Sequence, residues 1–139
     1  MPRPTNTLIV DDEPHVRTFL RRVLKEPGIE QTWEAGDGEQ ALAGIEQHRP
    51  ELVLLDVNMP LINGLEVLKR AKELDPDPAV IVVTSESSLK TVQEAVRLGA
   101  SSYVLKHRPK NDVGQAVGDA LDALEDEGSD DHQADETVP

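Results

Sequence analysis

Leu52-Val53-Leu54-Leu55-Asp56 is the stretch that decides the fold. Four consecutive apolar residues end abruptly in an acid. A strand built from such a run has no polar face, so it needs cover on both sides, which a parallel sheet flanked by helices provides. Three further runs share this character: Leu8-Ile9-Val10, Val80-Ile81-Val82-Val83 and Tyr103-Val104-Leu105. A fifth segment, Gln31-Thr32-Trp33-Glu34-Ala35, alternates more and reads as an edge strand.

Between the runs lie segments with helical spacing. Residues 14–24 place Val16, Phe19, Leu20, Val23 and Leu24 on one stripe, with Pro14 suited to the first turn. Residues 38–47 follow Asp37, an expected N-cap that Gln40 would complete as a capping-box-like pair. A third helix from Gly64 carries Leu65, Leu68 and Leu74, and a fourth, residues 88–98, carries Leu89, Val92 and Val96 and stops before Gly99. The fifth, about 111–124, carries Val113, Val117, Leu121 and Leu124. Five strand–helix alternations with short connections predict an open, doubly wound α/β sheet.

The bulk properties agree with one domain. The 139 residues suffice for a single core. Cysteine is absent, which removes disulfides and thiolate metal sites. No apolar run approaches membrane-spanning length and no secretory pattern opens the chain, so the cytoplasm is the expected compartment. Of the net charge of −13, residues 125–139 contribute −7 from seven acids and no Lys or Arg. The expected organisation is a domain over residues 1–124 and an acidic, disordered tail over 125–139. Nucleic-acid binding is disfavoured, because phosphate neutralisation requires clustered Lys and Arg.

The polar residue that follows each buried run carries the chemistry. The first strand ends in Asp11-Asp12, the third in Asp56, the fourth in Thr84-Ser85 and the fifth in Lys106. In an open α/β sheet these carboxyl ends share one edge, where ligands bind at the point of strand-order reversal. Taken singly, Asp12 reads as a turn residue, Lys106 as a solvated lysine and Thr84 as a strand-end filler. Together, an acid pair, an acid, a hydroxyl and a lysine at four successive strand ends point to one site. Converging carboxylates repel unless a cation intervenes. Mg²⁺ suits an oxygen set that leaves room for waters and a phosphate. Asp56 is then a candidate nucleophile toward a phosphoryl donor, with Lys106 and Thr84 meeting the transferring oxygens.

These residues resemble the response-regulator receiver domain of two-component signalling over about residues 7–124. The likeness is carried by Ile9-Val10-Asp11-Asp12-Glu13, Leu54-Leu55-Asp56-Val57-Asn58-Met59-Pro60, Gly64, Val83-Thr84-Ser85 and Tyr103-Val104-Leu105-Lys106. The resemblance implies a flavodoxin-like (βα)5 fold with five parallel strands in the order 2-1-3-4-5. It also implies that Asp56 is the phosphoacceptor, with Lys106 and Thr84 on the phosphoryl group. Asp11, Asp12, Asp56 and the backbone carbonyl of Asn58 would hold Mg²⁺, and Thr84 and Tyr103 would report the switch. Asn58 and Glu86 occupy positions that tune the dephosphorylation rate, and their pairing is similar to that in the chemotaxis response regulator. Gly64 would form the turn after the active-site loop, which Met59-Pro60 would shape.

The implied protein is a stand-alone signalling receiver that assists its own phosphorylation and dephosphorylation and is otherwise not an enzyme. Its partners would be a histidine kinase or histidine phosphotransfer protein, and a downstream protein docking on the fourth helix, fifth strand and fifth helix. Lys90, Arg97, Arg108 and Lys110 make that face locally basic. The alternative is a degenerate receiver acting as a phosphorylation-independent binding module. A flavin protein of similar sheet order is disfavoured by the scarcity of aromatics. One departure from the family pattern stands at Lys106, which is followed by His107 rather than proline. His15, His48, His107 and His132 lack ligand spacing.

Overall fold

Ten elements alternate along the chain: β1 (Asn6–Val10), α1 (Pro14–Lys25), β2 (Gln31–Ala35), α2 (Gly38–His48), β3 (Leu52–Leu55), α3 (Gly64–Leu74), β4 (Ala79–Thr84), α4 (Leu89–Arg97), β5 (Ser102–Leu105) and α5 (Lys110–Ser129). The computed structural model describes residues 4–59, 62–106 and 110–129, without the side chains of 110, 111 and 126–129. The five strands form one parallel sheet in the order β2-β1-β3-β4-β5. This is the order the resemblance implies, and it puts β2 on an edge, as its alternation suggests.

The continuous apolar runs are explained by two cores, one on each face. Ile9, Leu52, Leu54, Ile81 and Val83 point into a cluster with Leu20 and Leu24 of α1 and Val113, Val117 and Leu121 of α5. Leu8, Val10, Val53, Leu55, Val80 and Val82 point the opposite way, onto Ala41 and Ile45 of α2, Val67 and Leu68 of α3 and Ala95 of α4. Alternate residues of β3 and β4 thus serve opposite cores, so these two strands leave no position for a polar side chain until they end.

Four local expectations are revised. Gln40 does not close a capping box onto Asp37: Asp37 Oδ1 accepts from Gln40 N at 2.8 Å, while Gln40 Oε1 accepts from Gly36 N at 2.7 Å, one residue earlier. Leu74 is 42% exposed, because the buried face of α3 is set by Val67, Leu68 and Ala71. Leu89 and Val96, expected on the buried stripe of α4, are 70% and 57% exposed. This short helix rests on Ala95, whose small side chain lets the backbone approach the core. Finally, α5 runs to Ser129, past the helix end expected near residue 124. Its backbone hydrogen bonds need no apolar face, and Glu125 and Glu127 are compatible with helix. Residues 130–139, and with them the rest of the expected tail, lie outside the described residues.

Removing bulk from the shared core should be costly. Ile81→Ala empties space at a residue that is 0% exposed and is expected to lose about 2–5 kcal/mol in urea denaturation. Leu74→Ala should lose less than about 1 kcal/mol. Equal losses at both positions would contradict the assignment of the buried faces.

Candidate functional site

Parallel pairing in register delivers the strand-end residues to one place. The ladder runs one residue beyond the strands: Asp11 N donates to Ala35 O at 3.1 Å, Asp56 N to Val10 O at 3.0 Å and Lys106 N to Thr84 O at 2.7 Å. The main chain therefore positions Asp11, Asp56 and Lys106 before any side-chain contact is made. Asp11 and Asp56 are buried, at 0% and 3% exposure, and Asp12 is exposed.

The side chains converge as the sequence predicts. Thr84 Oγ1 donates to Asp56 Oδ1 at 2.6 Å, and Asn58 N donates to the same oxygen at 2.8 Å. Lys106 Nζ lies 2.9 Å from Asp11 Oδ2 and 3.1 Å from Asp56 Oδ2, bridging the two buried carboxylates. Asp11 Oδ1 accepts from Glu13 N at 2.9 Å. One oxygen from each of Asp11, Asp12 and Asp56 lies within 4.8 Å of the others. Three hard oxygen donors, two buried and one open to solvent, fit a divalent cation of the Mg²⁺ kind that retains some of its waters. Asn58 enters these contacts through its N–H.

The charges are coupled. Burial pushes the Asp11 carboxyl above its ordinary range, and the hydrogen bonds from Lys106 and Glu13 N offset part of the rise. For Lys106, burial alone would lower the ammonium's pKa. The hydrogen bond to Asp11, with the charges of Asp56 and Asp11, outweighs it and raises the value. Lys106 thus remains a cation while it partly neutralises the pocket.

A second group of contacts leads away from Asp56. Glu86 N donates to Thr84 Oγ1 at 3.3 Å, and Tyr103 Oη donates to Glu86 O at 2.8 Å. Glu86 Oε2 accepts from Ser88 N at 3.1 Å, and Ser88 Oγ caps α4 by accepting from Thr91 N at 3.1 Å. Tyr103 is half-buried; burial first, then the charges of Glu86 and Asp56, raise its phenol pKa. Asn58 and Glu86 also line one polar recess of about 100 Å³ with Asn63 and Thr91.

Gly64 stands at the end of the active-site loop, its N donating to Val57 O at 3.1 Å, and its lack of a side chain has a steric reason. A Cβ there would sit 2.1 Å from Val57 Cα and 2.6 Å from Asp56 O. The first residue of α3 therefore presses against the backbone of Asp56 and Val57, and only glycine leaves room. Pro60, His107, Arg108 and Pro109 lie outside the described residues, and so does the Lys106–His107 peptide. Arg17 was missed in the sequence, where it reads as a polar residue beside the apolar stripe of α1. Its Nη1 donates to the Asp11 backbone carbonyl at 2.6 Å.

Residues 7–118 match the response regulator receiver domain family. The chain belongs to that family. The receiver domain is 39% identical over 110 residues to sporulation initiation phosphotransferase F of Bacillus subtilis, covering 79% of this chain and 88% of the relative. It is 34% identical over 116 residues to chemotaxis protein CheY of Halobacterium salinarum, covering 84% and 96% respectively. A CheY-like receiver domain protein from Methanospirillum hungatei superposes with a TM-score of 0.76 at 29% identity, covering 88% of this chain and 98% of that one. Among the described residues, no helix of the receiver domain is long and apolar enough to cross a membrane.

Lys106→Met should show how far the cation supports the fold. In metal-free buffer at pH 7, urea denaturation is expected to show a loss of about 2–4 kcal/mol, because two buried carboxylates lose their shared partner. The Asp11 pKa, already raised, rises further in the variant. An acid whose folded pKa is raised destabilises the fold as pH rises above its unfolded value, so the deficit should shrink when the measurement is repeated at a lower pH. An equal loss at both pH values would show that packing, not charge, sets the cost.

Proposed function

We propose that this receiver accepts a phosphoryl group on Asp56 from a histidine kinase or histidine phosphotransfer protein, in a Mg²⁺-dependent reaction. It then signals by phosphorylation-dependent docking to a partner protein. The convergence of Asp11, Asp12, Asp56, Thr84 and Lys106 at four strand ends carries this reading. A binding module that never accepts phosphate has no need of a nucleophilic carboxylate, a hydroxyl and an ammonium in mutual contact.

In the proposed step an Asp56 carboxylate oxygen forms a bond to phosphorus as the bond to the donor's imidazole nitrogen breaks. The electron pair of that bond leaves with the imidazole. Asp11, Asp12, Asp56 and the Asn58 carbonyl would hold Mg²⁺, which supplies neutralisation of the carboxylates and of the phosphoryl oxygens. The Lys106 ammonium and the Thr84 hydroxyl, which hold the Asp56 oxygens at rest, are placed to follow the new charge onto the phosphoryl oxygens. A shift of Thr84 toward the phosphoryl group would disturb its contact with Glu86 N and, through Glu86 O, the Tyr103 hydroxyl. Thr84 and Tyr103 would thereby bias a two-state equilibrium of the α4 and β5 region.

The α4–β5–α5 face is the proposed docking surface. Exposed Leu89 and Val96 give it an apolar component. Lys90 contributes positive charge, whereas the charge of Arg97 is met by Glu94. Charge reversal at Lys90 should weaken docking of the phosphorylated form, and unchanged affinity would exclude this face. The proposed compartment of action is the cytoplasm.

Intact mass after incubation with a small-molecule phosphodonor and Mg²⁺ tests the chemistry. One added phosphoryl group is expected in wild type, none in Asp56→Asn, and none when Mg²⁺ is omitted. No addition, with the donor verified on another receiver, would favour the phosphorylation-independent module. Following the adduct over time tests Asn58 and Glu86, which line one polar recess large enough for water. Substituting either is expected to change the rate of phosphoryl loss severalfold, and unchanged rates would remove both from that role.

A further inference from the structure

We propose that Arg17, held by Glu34, is a positioning residue for the divalent-cation site. This rests on the receiver reading above. It concerns an element outside the carboxylate cluster, the first turn of α1.

The Asp11 carbonyl stands where sheet pairing ends, so a donor must come from elsewhere if it is to be satisfied. Arg17 supplies that donor, its Nη1 lying 2.6 Å from the carbonyl oxygen. The other polar atoms of Asp11 are also held: N by Ala35 O, Oδ1 by Glu13 N and Oδ2 by Lys106 Nζ. Asp11 is thereby fixed on every side. Its carbonyl belongs to the peptide joining Asp11 to Asp12, so the same contact sets the orientation of the plane from which Asp12 projects. Asp12 is the exposed carboxylate of the cluster, with the least packing to hold it.

Arg17 is itself held in place. Its Nε donates to Glu34 Oε1 at 2.9 Å, and Arg21 Nη1 donates to Glu34 Oε2 at 2.6 Å. The Arg17 side chain is only 17% exposed. The planar guanidinium uses two nitrogens in fixed relation, one on β2 and one on the strand end of β1. A lysine ammonium, a point donor on a flexible stem, does not reproduce that fork. Gly36 leaves the space: a Cβ there would lie 3.3 Å from Arg17 Nη1. Outer partners that orient metal ligands typically govern affinity by about 10–100-fold, and a backbone contact belongs at the lower end.

Calorimetric titration of Mg²⁺ into wild type, Arg17→Met, Arg17→Lys and Glu34→Gln decides the matter, with thermal unfolding of each metal-free protein alongside. Arg17→Met is expected to bind Mg²⁺ about tenfold more weakly, Arg17→Lys nearly as weakly, and Glu34→Gln between these and wild type. Wild-type affinity in Arg17→Met with a lowered unfolding temperature would make the residue merely structural and overturn the proposal. So would tighter binding, which would make Arg17 a repelling cation, or full affinity in Arg17→Lys, which would make charge rather than the fork the cause. Should Arg17→Met fail to fold, Arg17→Lys and Glu34→Gln carry the same decision. Wild type that binds no Mg²⁺ would defeat the metal-site reading itself; wild type that binds, with variants that bind equally, defeats only the role of Arg17.

Discussion

Asp11 and Asp56 are buried side by side at the ends of β1 and β3, and the arrangement depends on the Lys106 ammonium that lies between them. Two carboxylates removed from water at this separation repel one another and forgo hydration, and each effect disfavours the charged form. Lys106 meets one oxygen of each, while Thr84 Oγ1, Asn58 N and Glu13 N occupy the others. The pocket is thus satisfied but still acidic, since one ammonium faces three carboxylates counting Asp12. That surplus of negative charge is what makes a divalent cation a natural guest.

The sheet makes such a pocket possible. Parallel strands in register end together, and both faces of the central β3 and β4 are committed to apolar cores. In these strands polar side chains wait until the strand ends, where those of β1 and β5 join them. Helix α3 closes over this edge with Gly64 against the Asp56–Val57 backbone, a contact that tolerates no side chain. On the far side, the contacts from Thr84 through Glu86 reach both Tyr103 and the cap of α4. A short helix of nine residues with one buried side chain has little packing to hold it. It is therefore a responsive end for that chain of contacts.

Much of this was legible in the amino-acid order. Runs such as Leu52–Leu55 and Val80–Val83 require cover on both faces, so their periodicity specifies a parallel sheet without any knowledge of contacts. The acid, hydroxyl or lysine that ends each run is likewise a local signal, and Asp11, Asp12, Asp56, Thr84 and Lys106 were all identifiable from it. Helix α4 was misread because Leu89, Val92 and Val96 have the spacing of a buried stripe. Spacing states which residues share a face, not whether that face meets the core.

What the sequence alone determined is therefore the order of elements, the sheet type and the set of strand-end residues, because each follows from short-range patterning. Only the tertiary structure decided which oxygens Lys106 bridges, why position 64 must be glycine and that Arg17 grips the Asp11 carbonyl. It also decided that Leu89 and Val96 stand in solvent. These are matters of distance between residues far apart in the chain. A backbone carbonyl, a Cβ clash or an uncovered helix face leaves no mark in local periodicity.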